Sequence, residues 1–220
     1  MTLDALYPFL YEESATLDTV LDEVRRSTEE KAREIVALRE SLVERHAAGL
    51  LACAEQLADR FSSGARLYTF GNGGSSTDAQ DLAQIFLHPP APALPLPAVS
   101  LSHDVAVLTA LSNDIGFEVV FARQIGALGR AGDIAVGLST SGGSANAIAA
   151  FEEAARRGLV TVGLCGYEGG RMAELTCIDH LFVVPSPSVH RIQEAQTTLY
   201  HVLWELIQRR LASSSTAARG

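Results

Sequence analysis

The stretch DIAVGLSTSGGSANAIAAFEEAARRG, residues 133–158, reads as a strand, a hydroxyl-rich loop and a helix in direct succession. Ile134 to Leu138 form a short apolar run suited to a strand covered on both faces. Ser139-Thr140-Ser141-Gly142-Gly143-Ser144 makes the turn. Ala147, Ile148, Phe151, Ala154 and Ala155 then recur at helical spacing until Gly158 stops the helix. The first amides of such a helix lack intrahelical partners, and its dipole places partial positive charge there. A single hydroxyl, Ser141 or Ser144, would suffice as a cap. Four hydroxyls and two glycines exceed that need and point to a phosphate as guest.

The same order occurs upstream. Arg66 to Phe70 is a first strand, Gly71-Asn72-Gly73-Gly74-Ser75-Ser76 a glycine loop, and Ala79, Leu82, Ala83 and Phe86 mark a helix. His88–Pro97 holds five of the eight prolines and is expected to be an extended loop. Ala98 to Leu101, Leu159 to Cys165 and Leu181 to Val184 are the second, fourth and fifth strands. Helical patterns run over about 104–112 and 116–128, separated by Ser112-Asn113-Asp114, and a last helix runs from Val189 to about Leu211. This alternation predicts an α/β fold, a doubly wound, five-stranded parallel sheet of flavodoxin-like order 2-1-3-4-5. Strands 1 and 3 are then neighbours at the topological switch point, where ligands bind. The two glycine/serine loops follow those two strands.

The preface, Ser14 to about Phe61, is helical in pattern, with an expected break near His46–Gly49. Residues 1–62 read as an N-terminal helical arm that packs on the domain and in an oligomer, 63–212 as the domain, and 213–220 as a frayed polar tail. Residues 1–13 form an aromatic lead-in in which Pro8 discourages early helix.

With a net charge of −9, nucleic acid is not an expected partner, since phosphate backbones need a basic face. Lys31 is the one lysine, in a charged helical stretch, which removes a P-loop lysine and disfavours a Schiff base. Cys53, Cys165 and Cys177 share no CxxC spacing and read as reduced structural thiols. The acidic start (Asp4, Glu12, Glu13) is unlike a signal peptide, and no apolar run is long enough to cross a bilayer. A soluble, cytoplasmic protein with no membrane partner is expected. A dinucleotide site is disfavoured because Ser76 stands at the third position of the glycine motif.

GNGGSSTDAQ (71–80), LSNDIGF (111–117), GDIAVGLSTSGGSAN (132–146) and RIQEAQTTLYH (191–201) resemble, in order, the motifs of the sugar isomerase (SIS) domain family. The match is best to its phosphoheptose isomerase branch, over roughly residues 25–210. The resemblance implies a homotetramer with active sites between subunits, acting on sedoheptulose 7-phosphate and, in many members, holding zinc. Carried over by motif position, Ser139, Thr140, Ser141 and Ser144 would hold the phosphate. Asn72, Gly73, Gly74 and Ser75 would line the sugar, and Asn113 and Asp114 would approach its hydroxyls. Gln193 and His201, eight residues apart on the last helix, would face substrate and metal.

Two positions depart from the branch. Where it carries a zinc-binding His and, four residues later, a Glu that is both base and ligand, this chain has Asp81 and Ile85. His201 and Asp81 are therefore the catalytic candidates. Asp81, Gln193 and His201 are the candidate zinc ligands, with His190 a fourth, although no cofactor is required by the reading. The expectation is an aldose–ketose isomerase; the alternative is a non-catalytic SIS tetramer that binds a sugar phosphate or a protein partner.

Overall fold

In the computed structural model, which describes residues 17–217, five parallel strands lie in the order β2-β1-β3-β4-β5. They are β1 (Leu67–Gly71), β2 (Ala98–Ser100), β3 (Ile134–Ser139), β4 (Val160–Gly166) and β5 (His180–Val184). The helices are α1 (Leu17–Ser62), α2 (Gly74–Leu87), α3 (Val105–Asp114), α4 (Val120–Leu128), α5 (Ala145–Arg156) and α6 (Val189–Ala217). Single 3₁₀ turns occupy Phe117–Val119 and Gly170–Glu174. The expected sheet and its order are those observed. The aromatic lead-in, residues 1–13, lies outside the described residues.

Every residue of β1, β3 and β4 is buried, which is why these strands read as unbroken apolar runs rather than alternating ones. Gly137 in β3 lies between the rings of Phe70 and Phe151, whose centroids are 5.1 Å apart, so a side chain there has no room. At the N-terminal ends of the strands, Asp133 accepts from the amides of Arg66 and Arg130, both at 2.9 Å, which pins β1 beside β3. Asp179 does the same for β4, accepting from the Thr161 amide at 2.9 Å. Burial pushes the thiols of Cys53 and Cys165 up to about 12, with Asp179 adding to the effect at Cys53. Both are therefore protonated core groups rather than nucleophiles.

The chain divides into two compact units between Ser41 and Leu42. Residues 17–41 of α1 are largely exposed and carry ion pairs along the helix, such as Arg33 to Glu29 at 2.9 Å. Residues 42–62 of α1 belong to the sheet unit and bury Leu50, Cys53, Ala54, Leu57, Ala58 and Phe61.

Three boundaries differ from expectation. No break occurs at His46–Gly49: α1 continues through it, His46 Nε2 lies 2.8 Å from the Val183 carbonyl oxygen, and Gly49 lets the helix approach Phe182. The small residues there mark close packing rather than a turn. Ser112-Asn113-Asp114 belong to α3, not to a separator. Ser112 Oγ donates to the Leu108 carbonyl at 2.7 Å, and the chain turns only at Gly116, whose φ is 145°. The final helix outlasts Leu211 and runs to Ala217. Ser213 and Ser214 donate to the carbonyls of Arg209 and Arg210, so part of the expected tail is helical.

Candidate functional site

Parallel pairing of β1 with β3, from Leu67–Ile134 to Gly71–Leu138, sends both glycine/serine loops out of the same end of the sheet. The loops are joined directly. Asn72 Nδ2 donates to Asn146 Oδ1 at 2.7 Å, and Asn146 Nδ2 donates back to Asn72 Oδ1 at 2.9 Å. Asn146 is 2 % exposed and Asn72 half-buried, and this reciprocal pair fixes the spacing of the two loops. Replacing Asn146 with alanine leaves the Asn72 carboxamide unpaired. We expect a loss of about 1–3 kcal/mol of stability, read from denaturant unfolding.

The loop after β1 is shaped by its backbone. Gly73 has φ 55°, and the amides of Ser75 and Ser76 donate to the carbonyls of Asn72 and Gly73 at 3.0 Å. Gly73 stands at the N-cap of α2, and no side chain caps that helix end. Gly71 packs tightly against the Ser75 and Leu138 carbonyls, while Gly74 lies against the Gln193 carboxamide of α6. A bare backbone at Gly74 thus lets α6 approach the loop.

In the loop after β3, Ser144 is the N-cap residue of α5, yet its hydroxyl bonds no helix amide. It lies 3.0 Å from Ser139 Oγ instead. Ser141 Oγ accepts from the Gly143 amide at 3.2 Å. Gly142 has φ 63° and is closed in by the Gly169 carbonyl, and its own carbonyl accepts from the Met172 amide at 2.9 Å. The Thr140 carbonyl accepts from the Gly166 amide at 3.0 Å. The hydroxyls are therefore not consumed by capping, and the positive end of α5 opens beside them.

A second group sits where α2 faces α6. Tyr200 Oη donates to Asp81 Oδ2 at 2.7 Å, and His201 Nε2 lies 3.6 Å from the same oxygen. Tyr200 is 1 % exposed, whereas the side chains of Asp81 and His201 are about half exposed, at 52 % and 44 %. One turn earlier on α2, Asp78 Oδ2 accepts from Gln193 Nε2 at 3.3 Å. Burial holds the Asp78 carboxyl above the usual carboxylate range; the Gln193 bond opposes that shift and the nearby Asp81 charge adds to it. Burial, and secondarily Asp81, keeps the Tyr200 phenol in its neutral, donating form.

Of the residues singled out in the sequence, the structure brings together Asn72, Gly73, Gly74 and Ser75 with Ser139, Thr140, Ser141 and Ser144 across the switch point. It pairs Asp81 with His201 and seats Gln193 against Gly74. Asn113 and Asp114 stand apart: both are exposed at the end of α3, and Asn113 Nδ2 donates to Asp114 at 2.8 Å. His190 is exposed in the first turn of α6. Asn146, Asp78 and Tyr200 were not singled out in the sequence. Helical spacing offered a clue to Tyr200, which follows Gln193 by seven residues and so shares its face.

Among the described residues, no three His, Cys, Asp or Glu side chains come together as a metal cluster. A separate groove of about 1210 Å³ lies along the β2 edge, lined by Leu87, Val99, Val107, Leu111 and Arg123 among others. It includes no residue of either glycine/serine loop. The chemistry-bearing groups lie instead at the switch point and along the α2–α6 contact, which together form the candidate site.

A family model described as the SIS domain matches residues 32–166. A phosphoheptose isomerase of Roseiflexus sp. (strain RS-1) is 42% identical over 202 residues, covering 87% of this chain and 93% of that protein. Two solved structures agree with the fold. A phosphoheptose isomerase from Neisseria gonorrhoeae has TM-score 0.77 at 34% identity, covering 84% of this chain and 98% of that one. Another from Francisella tularensis has TM-score 0.77 at 30% identity, covering 87% and 99%.

Proposed function

The chain belongs to the SIS domain family, in its phosphoheptose isomerase branch, and from that membership we propose that it interconverts sedoheptulose 7-phosphate, or a similar ketose phosphate, with the corresponding aldose phosphate. The observation that carries this reading is the meeting of the two loops across β1 and β3, joined by Asn72 and Asn146. The phosphate is held by Ser139, Thr140, Ser141 and Ser144 with the amides at the start of α5. The sugar lies along Asn72, Gly73, Gly74 and Ser75, with Gln193 at its side. His201, whose imidazole has one nitrogen to take a proton and another to face a carboxylate, carries a proton between C1 and C2, and Asp81 is its partner. The isomerase relatives favour this reading over a binding-only protein.

The protein acts as a homotetramer in the cytoplasm, with active sites between subunits. The largely exposed residues 17–41 of the N-terminal arm and the apolar helix α3, which buries no residue within one chain, supply faces for that assembly. Asn113 and Asp114 at the end of α3 approach the sugar of a neighbouring copy. Among the described residues, no helix is long and apolar enough to cross a membrane.

The zinc set implied by the resemblance does not fit the residues present. Ile85 offers only hydrocarbon, Asp81 Oδ2 is engaged by Tyr200, and the Gln193 carboxamide is turned to Asp78. One carboxylate and one imidazole fall short of the three protein ligands of a catalytic zinc.

The direct test is to mix purified protein with sedoheptulose 7-phosphate and follow the aldose product by NMR. Conversion is expected. No turnover of any sugar phosphate, with or without added zinc, would overturn the isomerase reading and leave a binding protein.

A further inference from the structure

Asp81 stands at a position where the branch otherwise carries a metal ligand, and with Tyr200 it forms a chain of contacts that ends on His201. The Tyr200 ring is buried against the protein, so its hydroxyl is a fixed point. It holds Asp81 Oδ2 at 2.7 Å, and that oxygen faces His201 Nε2 at 3.6 Å. A carboxylate on one imidazole nitrogen selects the tautomer with hydrogen on that nitrogen and leaves the other as the basic lone pair. It also stabilises the imidazolium that forms when the ring takes a proton. Such contacts are commonly long before substrate arrives and tighten in the complex.

We propose that this chain carries out its isomerisation without a metal ion, Tyr200 locking Asp81, Asp81 orienting His201, and His201 transferring the proton. The proposal rests on the isomerase reading above. The steps balance without a co-reactant. His201 Nδ1 takes a proton from C1 of the ketose, and the electron pair moves through a new C1–C2 double bond onto O2. The hydroxyl proton passes from O1 to O2 within the enediolate. The imidazolium then returns its proton to C2 as the C1 carbonyl forms. His201 is the catalytic residue, and Asp81 and Tyr200 are positioning residues.

Three measurements on the full-length protein test this. Wild type freed of metal with a chelator, its zinc content checked by plasma mass spectrometry, should keep its turnover of sedoheptulose 7-phosphate within about twofold. Tyr200→Phe, which retains the ring and removes the hydroxyl, should lower kcat about tenfold while KM and melting temperature stay close to wild type. The double change Asp81→His with Ile85→Glu should gain about one zinc per chain, which wild type does not bind when titrated with zinc alone. Activity that vanishes on chelation and returns with zinc would overturn the metal-free mechanism while leaving the isomerase reading intact. An unchanged kcat in Tyr200→Phe would remove Tyr200 from the chain of contacts. Absence of turnover in wild type under both conditions would bring down the isomerase reading itself, and this proposal with it.

Discussion

Replacing His201 with alanine is expected to lower kcat on sedoheptulose 7-phosphate by about 10²–10⁴-fold, the range lost when a positioned general base is removed. The reason is that His201 is the imidazole of the α2–α6 contact, the side-chain type that most often serves as a positioned acid and base. Its neighbours there are carboxylates, a phenol and a carboxamide. Because its side chain is 44 % exposed, truncation removes little packing, and stability should move by no more than about 0.5 kcal/mol. KM should change far less than kcat, because the proposed phosphate grip lies in the loop after β3, on another element. Steady-state kinetics with a thermal melt on the same preparation separates the outcomes. Turnover within threefold of wild type would exclude His201 as the proton carrier.

Gly142→Ala should do the largest damage at the loop after β3, the proposed phosphate cradle. At φ 63° an alanine is strained whatever the space, and here its methyl would strike the Gly169 carbonyl, a backbone atom that cannot swing aside. The loop and the 169–170 turn must then part, breaking the Met172 amide bond to the Gly142 carbonyl. Backbone strain and overpacking together amount to about 2–4 kcal/mol, which lowers the melting temperature of a chain of this size by about 5–15 °C. Phosphate-ester affinity, read by calorimetry, should weaken about tenfold or more, since one tenfold step is about 1.4 kcal/mol of lost cradle geometry. The neighbouring change Gly143→Ala is the control: its nearest contact would be Ser141 Oγ at 3.7 Å, so it should be tolerated. Equal behaviour of the two variants would refute the argument.

The strand, loop and helix of residues 134–156 were legible because their signal is local. Ile134 to Leu138, the four hydroxyls and the helical spacing after Ala145 specify strand, loop and helix without reference to the rest of the chain. The sheet order followed from the alternation of strands and helices, which predicts a doubly wound parallel sheet. The partners of the loops were less accessible. Asn146 looks in sequence like a polar residue in the first turn of a helix. Only the register of β1 against β3 brings it to Asn72, 74 residues away in the chain. His46–Gly49 misled for the same reason, since small residues that signal a turn also permit close approach to a strand.

What the amino-acid order determined by itself was the alternation of elements, the switch point between strands 1 and 3, and the presence of hydroxyls and glycines in the loops that follow them. Each depends on spacing within a few residues, where backbone geometry leaves few choices. The tertiary structure decided which side chains share a hydrogen bond. It turned Ser144 toward Ser139 rather than onto its own helix, and it placed the buried Tyr200 hydroxyl under Asp81 so that the carboxylate faces His201. Such contacts depend on how two helices far apart in sequence pack, and a shift of a few ångströms makes or breaks them.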